Sequence, residues 1–93
     1  MKFEWDENKN KINHRNHKIW FEEAQTIWAD IHSSEFFDPN HSDTEDRFIR
    51  IGHTTRDRLV LVVFCERLNG TTIRIISARK TTSSERDKYE KGI

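Results

Sequence analysis

Apolar positions along the chain follow two periods, and the change from one to the other marks the elements. Lys2 to Trp5 alternates, with Phe3 and Trp5 on one face, which predicts a short opening strand. Asp6 is placed to cap a helix running to about Arg15, with Glu7 near its positive end. The stretch Asn13 to Lys18 is polar and interrupts the pattern. Phe21, Ala24 and Trp28 then fall at i, i+3 and i+7, the core-facing stripe of a second helix from about Phe21 to Ala29. Strands follow. Glu35 to Asp38 is short and closed by Pro39-Asn40-His41, and the polar stretch to Asp46 reads as a loop. Arg47 to His53 carries Ile49 and Ile51 on one face. Arg58 to Arg67 is nearly continuous in apolar residues, the mark of a central strand buried on both sides. Asn69-Gly70 signals a type I′ hairpin that pairs 58–67 with 72–80. Thr82 and Glu85 make a capping box, so a last helix starts there and runs to Tyr89 or beyond.

The resulting order is β-α-α-β-β-β-β-α. Helices segregated from a run of strands predict an α+β fold, an antiparallel sheet covered on one face, with two N-terminal helices and one C-terminal helix. At 93 residues the chain is one domain, 1–93. The lone cysteine, Cys65, excludes an intrachain disulfide and a four-cysteine zinc site, and its mid-strand position predicts core filling. The charged start is unlike a secretory leader, and the longest apolar run, Leu59 to Cys65, is seven residues. A cytoplasmic protein with no membrane partner is expected.

Net charge is zero, from 16 basic and 16 acidic residues, but the halves differ. Residues 20–46 hold eight carboxylates and no Lys or Arg, whereas residues 47–80 hold eight cations against two carboxylates. Such a dipolar chain offers a cationic surface to phosphate and an anionic one to another partner, unless the halves neutralise each other within the fold. The strand Ile73-Arg74-Ile75-Ile76-Ser77-Ala78-Arg79-Lys80 is the strongest phosphate signal, because arginine on an apolar strand must find a partner or water.

Several of these segments together resemble the BrnT-type ribonuclease toxins of type II toxin–antitoxin modules. They are Phe3-Glu4-Trp5-Asp6, the lysine-rich helix with its Asn-x-x-x-His end, Phe21-Glu22-Glu23-Ala24, Glu45-x-Arg47, Ile51-Gly52, the strand 59–64, and Ile73 to Arg79 with Glu85 and Tyr89. The resemblance implies a RelE-like fold, RNA cleavage and growth arrest. It also implies neutralisation by a BrnA-type antitoxin that carries the contact to operator DNA, with a dimer allowed in the complex. One departure is visible. The family reads Lys-His-Gly before the second helix, whereas this chain has Asn16-His17-Lys18-Ile19-Trp20, with no glycine and a tryptophan at the cap.

Metal-independent RNA cleavage requires a base for the 2′-hydroxyl, cations for the dianionic phosphorane and an acid for the departing 5′-oxygen. The cation candidates are Arg79, Arg74, Arg50 and Arg47. Arg74 and Arg79 are five apart, so a regular strand sends them to opposite faces unless a bulge intervenes. Arg79 lies beside the last helix, where Glu85 is the competing structural partner. Arg50 points away from Ile49 and Ile51, toward the open side if those two are core. Arg47 shares their face at the strand entrance. The proton-transfer candidates are His53, Glu66, Tyr89 and His17. Histidine titrates in the neutral range. Glu66 is the one carboxylate on the basic strands, and Tyr89 serves either the site or the core. His14 and His17 have a metal-binding spacing but no evident third ligand, so neither metal nor cofactor is expected. Two other readings stay open: a module that binds RNA or a partner without chemistry, and a translational regulator that docks on the ribosome.

Overall fold

The computed structural model describes residues 1–38 and 46–92. The Pro39-Asn40-His41 turn and most of the acidic loop, including Glu45 of the Glu45-x-Arg47 motif, lie outside the described residues. The elements run β1 (Lys2–Glu4), α1 (Glu7–His17), α2 (Phe21–Ala24), β2 (Ser34–Asp38), β3 (Arg47–His53), β4 (Leu59–Arg67), β5 (Thr72–Lys80) and α3 (Ser83–Lys91). The second helix is α-helical only over its first four residues and continues as a 3-10 helix, Gln25–Ala29. The sheet order is β1-β5-β4-β3-β2. Strands β2 to β5 pair antiparallel, and β1 is added parallel to β5, a pairing the alternation in Lys2 to Trp5 did not specify.

β4 is central, as its composition predicts, and its two faces build two cores. Val60, Val62 and Phe64 point to the side covered by Ile19, Phe21, Ala24 and Ile27, and all seven are 0 % exposed. Each of the buried Val, Ile and Phe side chains contributes about 1.5–3 kcal/mol relative to exposure. Leu59 and Leu61 point to the other side, where they join Ile51 and the ring of Tyr89 from α3. α3 covers only this end of the second face.

The hairpin keeps the expected left-handed pair Asn69-Gly70 and adds a third left-handed residue, Leu68, before it. Thr71 N–H bonds to the carbonyl of Leu68 across Asn69-Gly70, and Gly70 N–H to that of Arg67, both at 3.2 Å, and Leu68, Asn69 and Gly70 have φ of 53°, 56° and 82°. Asn69 accepts that conformation readily; Leu68 pays about 1 kcal/mol for it. The strand-end pairing of Arg67 with Thr72 requires this longer loop.

α1 runs through the polar stretch to His17 instead of ending near Arg15. Its single apolar residue, Ile12, is 49 % exposed, so the helix cannot dock by hydrophobic burial. It docks through asparagines. Asn13 donates to the carbonyls of Ala78 and Ile19 at 2.9 Å and accepts from the Ala78 amide at 3.0 Å. β1 reaches only as far as Arg74 along β5, so the Asn13 amide takes the place of a strand at Ala78. Asn10 accepts from the Phe21 amide at 2.7 Å and donates to Glu7 and Glu22. α1 ends at Lys18, whose φ of 62° puts it in the left-handed conformation that glycine serves best.

Candidate active site

β5 contains an extra residue. Val63 pairs with Ser77 and the next residue, Phe64, pairs with Ile75, so Ile76 has no opposite partner on β4. This bulge resets the alternation. Arg74 lies opposite Cys65 and Arg79 opposite Leu61, and those two β4 positions share a face. Both arginines are therefore on the α3 side. On β3 the same side carries Arg47, Ile49, Ile51 and His53, paired with Cys65, Val63, Leu61 and Leu59.

Sharing a face does not bring these residues together. His53 and Arg47 are at opposite ends of β3, roughly 20 Å apart at a strand's rise per residue. Arg74 is held by Glu4 at 2.9 Å, near the Arg47 end. The expectation that Arg50 faces the open side does not hold, because Ile49 and Ile51 belong to the α3 face. Arg50 lies on the helix-covered face, bound to Glu35 at 2.8 Å with its guanidinium 5.1 Å above the Trp28 ring. Glu66 pairs with Ile73 on that face too, at the far end of β4. His17 lines a shallow groove with Ile12 and Ile76, remote from β3.

One end of the α3 face does gather ionisable groups. The Tyr89 hydroxyl donates to Asp30 Oδ2 at 2.6 Å and lies 3.0 Å from His53 Nδ1. The same Asp30 oxygen accepts the His53 amide at 2.8 Å, and Oδ1 accepts the His32 amide at 2.9 Å. Gly52 permits this approach: a Cβ there would meet Ser33 and Ile27 at 3.0 and 3.1 Å, and Asp30 Oδ2 at 3.4 Å. The Ile51-Gly52 pair thus has a packing reason.

The hydrogen count fixes the direction of the chain. A hydroxyl has one hydrogen, and an ionised carboxylate only accepts. Tyr89 gives its hydrogen to Asp30, so His53 Nδ1–H must donate to Tyr89, which leaves the Nε2 lone pair free. Electrostatics agree. Burial works to raise the Asp30 carboxyl, but hydrogen bonds from the His53 amide, Tyr89 and the His32 amide hold it below the ordinary carboxylate range. Burial and then the Asp30 carboxylate push the Tyr89 hydroxyl up to about 12, so it stays a donor through the neutral range. The His53 side chain is 36 % exposed, so the ring is within reach of a ligand.

Arg79 is bidentate to Glu85 at 2.9 and 2.8 Å, and Nη1 also reaches the Lys80 carbonyl. Glu85 closes the capping box with Thr82, so one carboxylate ties β5 to the start of α3. The Arg79 hydrogen bonds hold Glu85 down at about 2. Three of the five guanidinium hydrogens are spent, and two remain for another acceptor.

Sequence reasoning missed Asp30. It appeared only as one acid among eight, and nothing in its neighbours marks a residue whose partners are 23 and 59 positions away.

The family model for the ribonuclease toxin BrnT of type II toxin–antitoxin systems matches residues 5–85. Among solved structures, the Brucella abortus ribonuclease toxin BrnT is similar, with a TM-score of 0.63 and 24 % identity over 89 % of this chain and 99 % of that one. No curated protein matches the chain. Among the described residues no helix is long and apolar enough to cross a membrane. A match of the family model over most of the chain, on a five-stranded α+β fold that the solved toxin shares, makes this protein a member of the BrnT family of ribonuclease toxins.

Proposed function

We propose that this chain is an endoribonuclease that cleaves RNA without a metal, with His53 as the general base. The observation that carries this reading is the Asp30–Tyr89–His53 chain, which holds the neutral imidazole with its lone pair on Nε2. In the step, Nε2 takes the proton of a ribose 2′-hydroxyl while that oxygen attacks the adjacent phosphorus. The bond to the 5′-oxygen breaks, and the leaving oxygen takes a proton from water. The products are a 2′,3′-cyclic phosphate and a 5′-hydroxyl. Arg79, with two N–H groups to spare, is the cation for the phosphorane oxygens, and Asp30 and Tyr89 are positioning residues. Arg47, Arg74 and Glu66, at the other end of the sheet, and Arg50, on the other face, are outside this step.

A BrnA-type antitoxin would neutralise the chain and carry the contact to operator DNA. The test is cleavage of a defined RNA in chelator. The parent is expected to give cyclic-phosphate ends, and folded His53→Ala to lose at least a hundredfold in rate. Parental cleavage by that variant would remove His53 from the mechanism. RNA retention without any product would favour a binding module, and translation arrest with intact message a ribosome-docking regulator.

A further inference from the structure

The sheet end that carries His53 continues into a cationic surface outside the catalytic cluster. Two open pockets meet there. One, of about 370 Å³, is lined by His14, Lys18, Trp20, Arg56 and Arg58. The other, of about 290 Å³, is lined by Asp57, Arg58, Leu59, Lys80, Thr81 and Arg86. Arg58 is on the wall of both. Its own charge is largely taken by Glu23, to which it is bidentate, and its Nη2 holds the Lys18 carbonyl at 3.0 Å. Arg58 is therefore the brace of this surface, and Lys18, Arg56, Lys80 and Arg86, all exposed, are its available cations. A larger neighbouring pocket behind Trp20 has the opposite character, with Glu7, Glu22 and Glu23 in its wall.

The aromatic at this surface is unusual in its own position. Trp20 stands at the N-cap of α2, where no side-chain hydrogen bond is made, and it is 40 % exposed. Its ring is stacked on His14 with centroids 3.9 Å apart and planes 8° from parallel. A rigid, half-open aromatic beside free cations is what unpaired nucleobases and their phosphates require. The surface also borders the chemistry. Leu59 pairs with His53 on one side and accepts from the Thr81 amide on the other.

We infer that this rim is the binding track for a single-stranded RNA: Arg56, Lys80 and Arg86 hold successive phosphates, and the Trp20–His14 stack takes a base at one end. The inference rests on the proposed RNA substrate but does not need His53 to be the base. Its test is therefore binding, measured by fluorescence anisotropy with a labelled 2′-O-methyl oligoribonucleotide that cannot be cleaved. The triple variant R56A/K80A/R86A is expected to bind at least tenfold more weakly, with a salt-dependence slope smaller by about 2. Trp20→Leu is expected to lose about tenfold with the slope unchanged, and Trp20→Phe to retain most of the affinity. Arg67→Ala, at the far end of the sheet, is expected to bind as the parent does.

Parental affinity and slope in the triple variant would overturn the track, as would tighter binding to duplex DNA or no binding by the parent at low salt. If the Trp20 variants bind like the parent, the stacking end is wrong. Intact binding by a parent that leaves RNA uncut would instead defeat the catalytic reading and leave the track standing.

Discussion

Helices α1 and α3 both dock on the sheet with almost no apolar surface, and they do it in opposite ways. α1 uses neutral amides. Asn10 is 0 % and Asn13 6 % exposed, and their bonds to the main chain at Phe21, Ile19 and Ala78 carry no titrating group. α3 uses groups that titrate: Glu85 against Arg79, and Tyr89 against Asp30 and His53, all half-buried. A fully buried amide is a cheap fixture because it carries no charge to desolvate. An ionisable tie is worth less to stability at the surface, but it orients groups that can exchange protons with a ligand. The two helices of this small domain thus differ in the kind of hydrogen bond that holds each one.

The contrast can be broken most severely at Asn13. Asn13→Ala removes three hydrogen bonds and strands both main-chain groups of Ala78, at a cost of about 2–3 kcal/mol in chemical denaturation. Cleavage per folded molecule should not change. At the other helix, Tyr89→Phe should cost only about 1 kcal/mol, yet lower the cleavage rate about tenfold, because the ring of His53 loses its anchor. A stability loss without a rate loss would make Tyr89 simple packing.

pH separates the helices more finely. Glu85 is depressed from 4.5 to about 2, so its contribution is present above pH 4.5 and is lost as pH falls toward 2. Arg79 is partly exposed, and solvent screening limits the effect to about 1 kcal/mol. Glu85→Gln should flatten that part of an acid stability curve, whereas an Asn13 variant, whose partners are all main-chain groups, should keep its slope. Tyr89 is raised from 10 to about 12, so its contribution holds below pH 10 and fades as pH rises through 12. Tyr89→Phe should remove this smallest effect, read from thermal melts at alkaline pH.

Much of the fold was legible in residue order. The stripe Phe21, Ala24, Trp28, the apolar run of β4 and the Thr82/Glu85 box each act within a few residues, and each element formed where its pattern put it. The hairpin was legible at Asn69-Gly70, but the third left-handed residue, Leu68, which lengthens the loop, was not. Arg74 and Arg79 were legible as a parity problem whose solution, the Ile76 bulge, leaves no mark in the sequence.

The candidate site was less legible. His53 and Tyr89 stood out by type, and Glu85 as the competitor for Arg79. Asp30 did not, and neither did the use of two asparagines as a helix-docking device.

The sequence by itself determined the number, kind and approximate bounds of the elements, because helix stripes, strand alternation and caps depend on neighbours within one or two turns. It also determined which arginines needed partners. Only the tertiary structure decided which partners they found: Glu35 for Arg50, Glu4 for Arg74, Glu85 for Arg79. It alone set Asp30, Tyr89 and His53 in one line. Those contacts join residues 23 to 59 positions apart, and they depend on strand order, one bulge and one glycine's lack of a side chain.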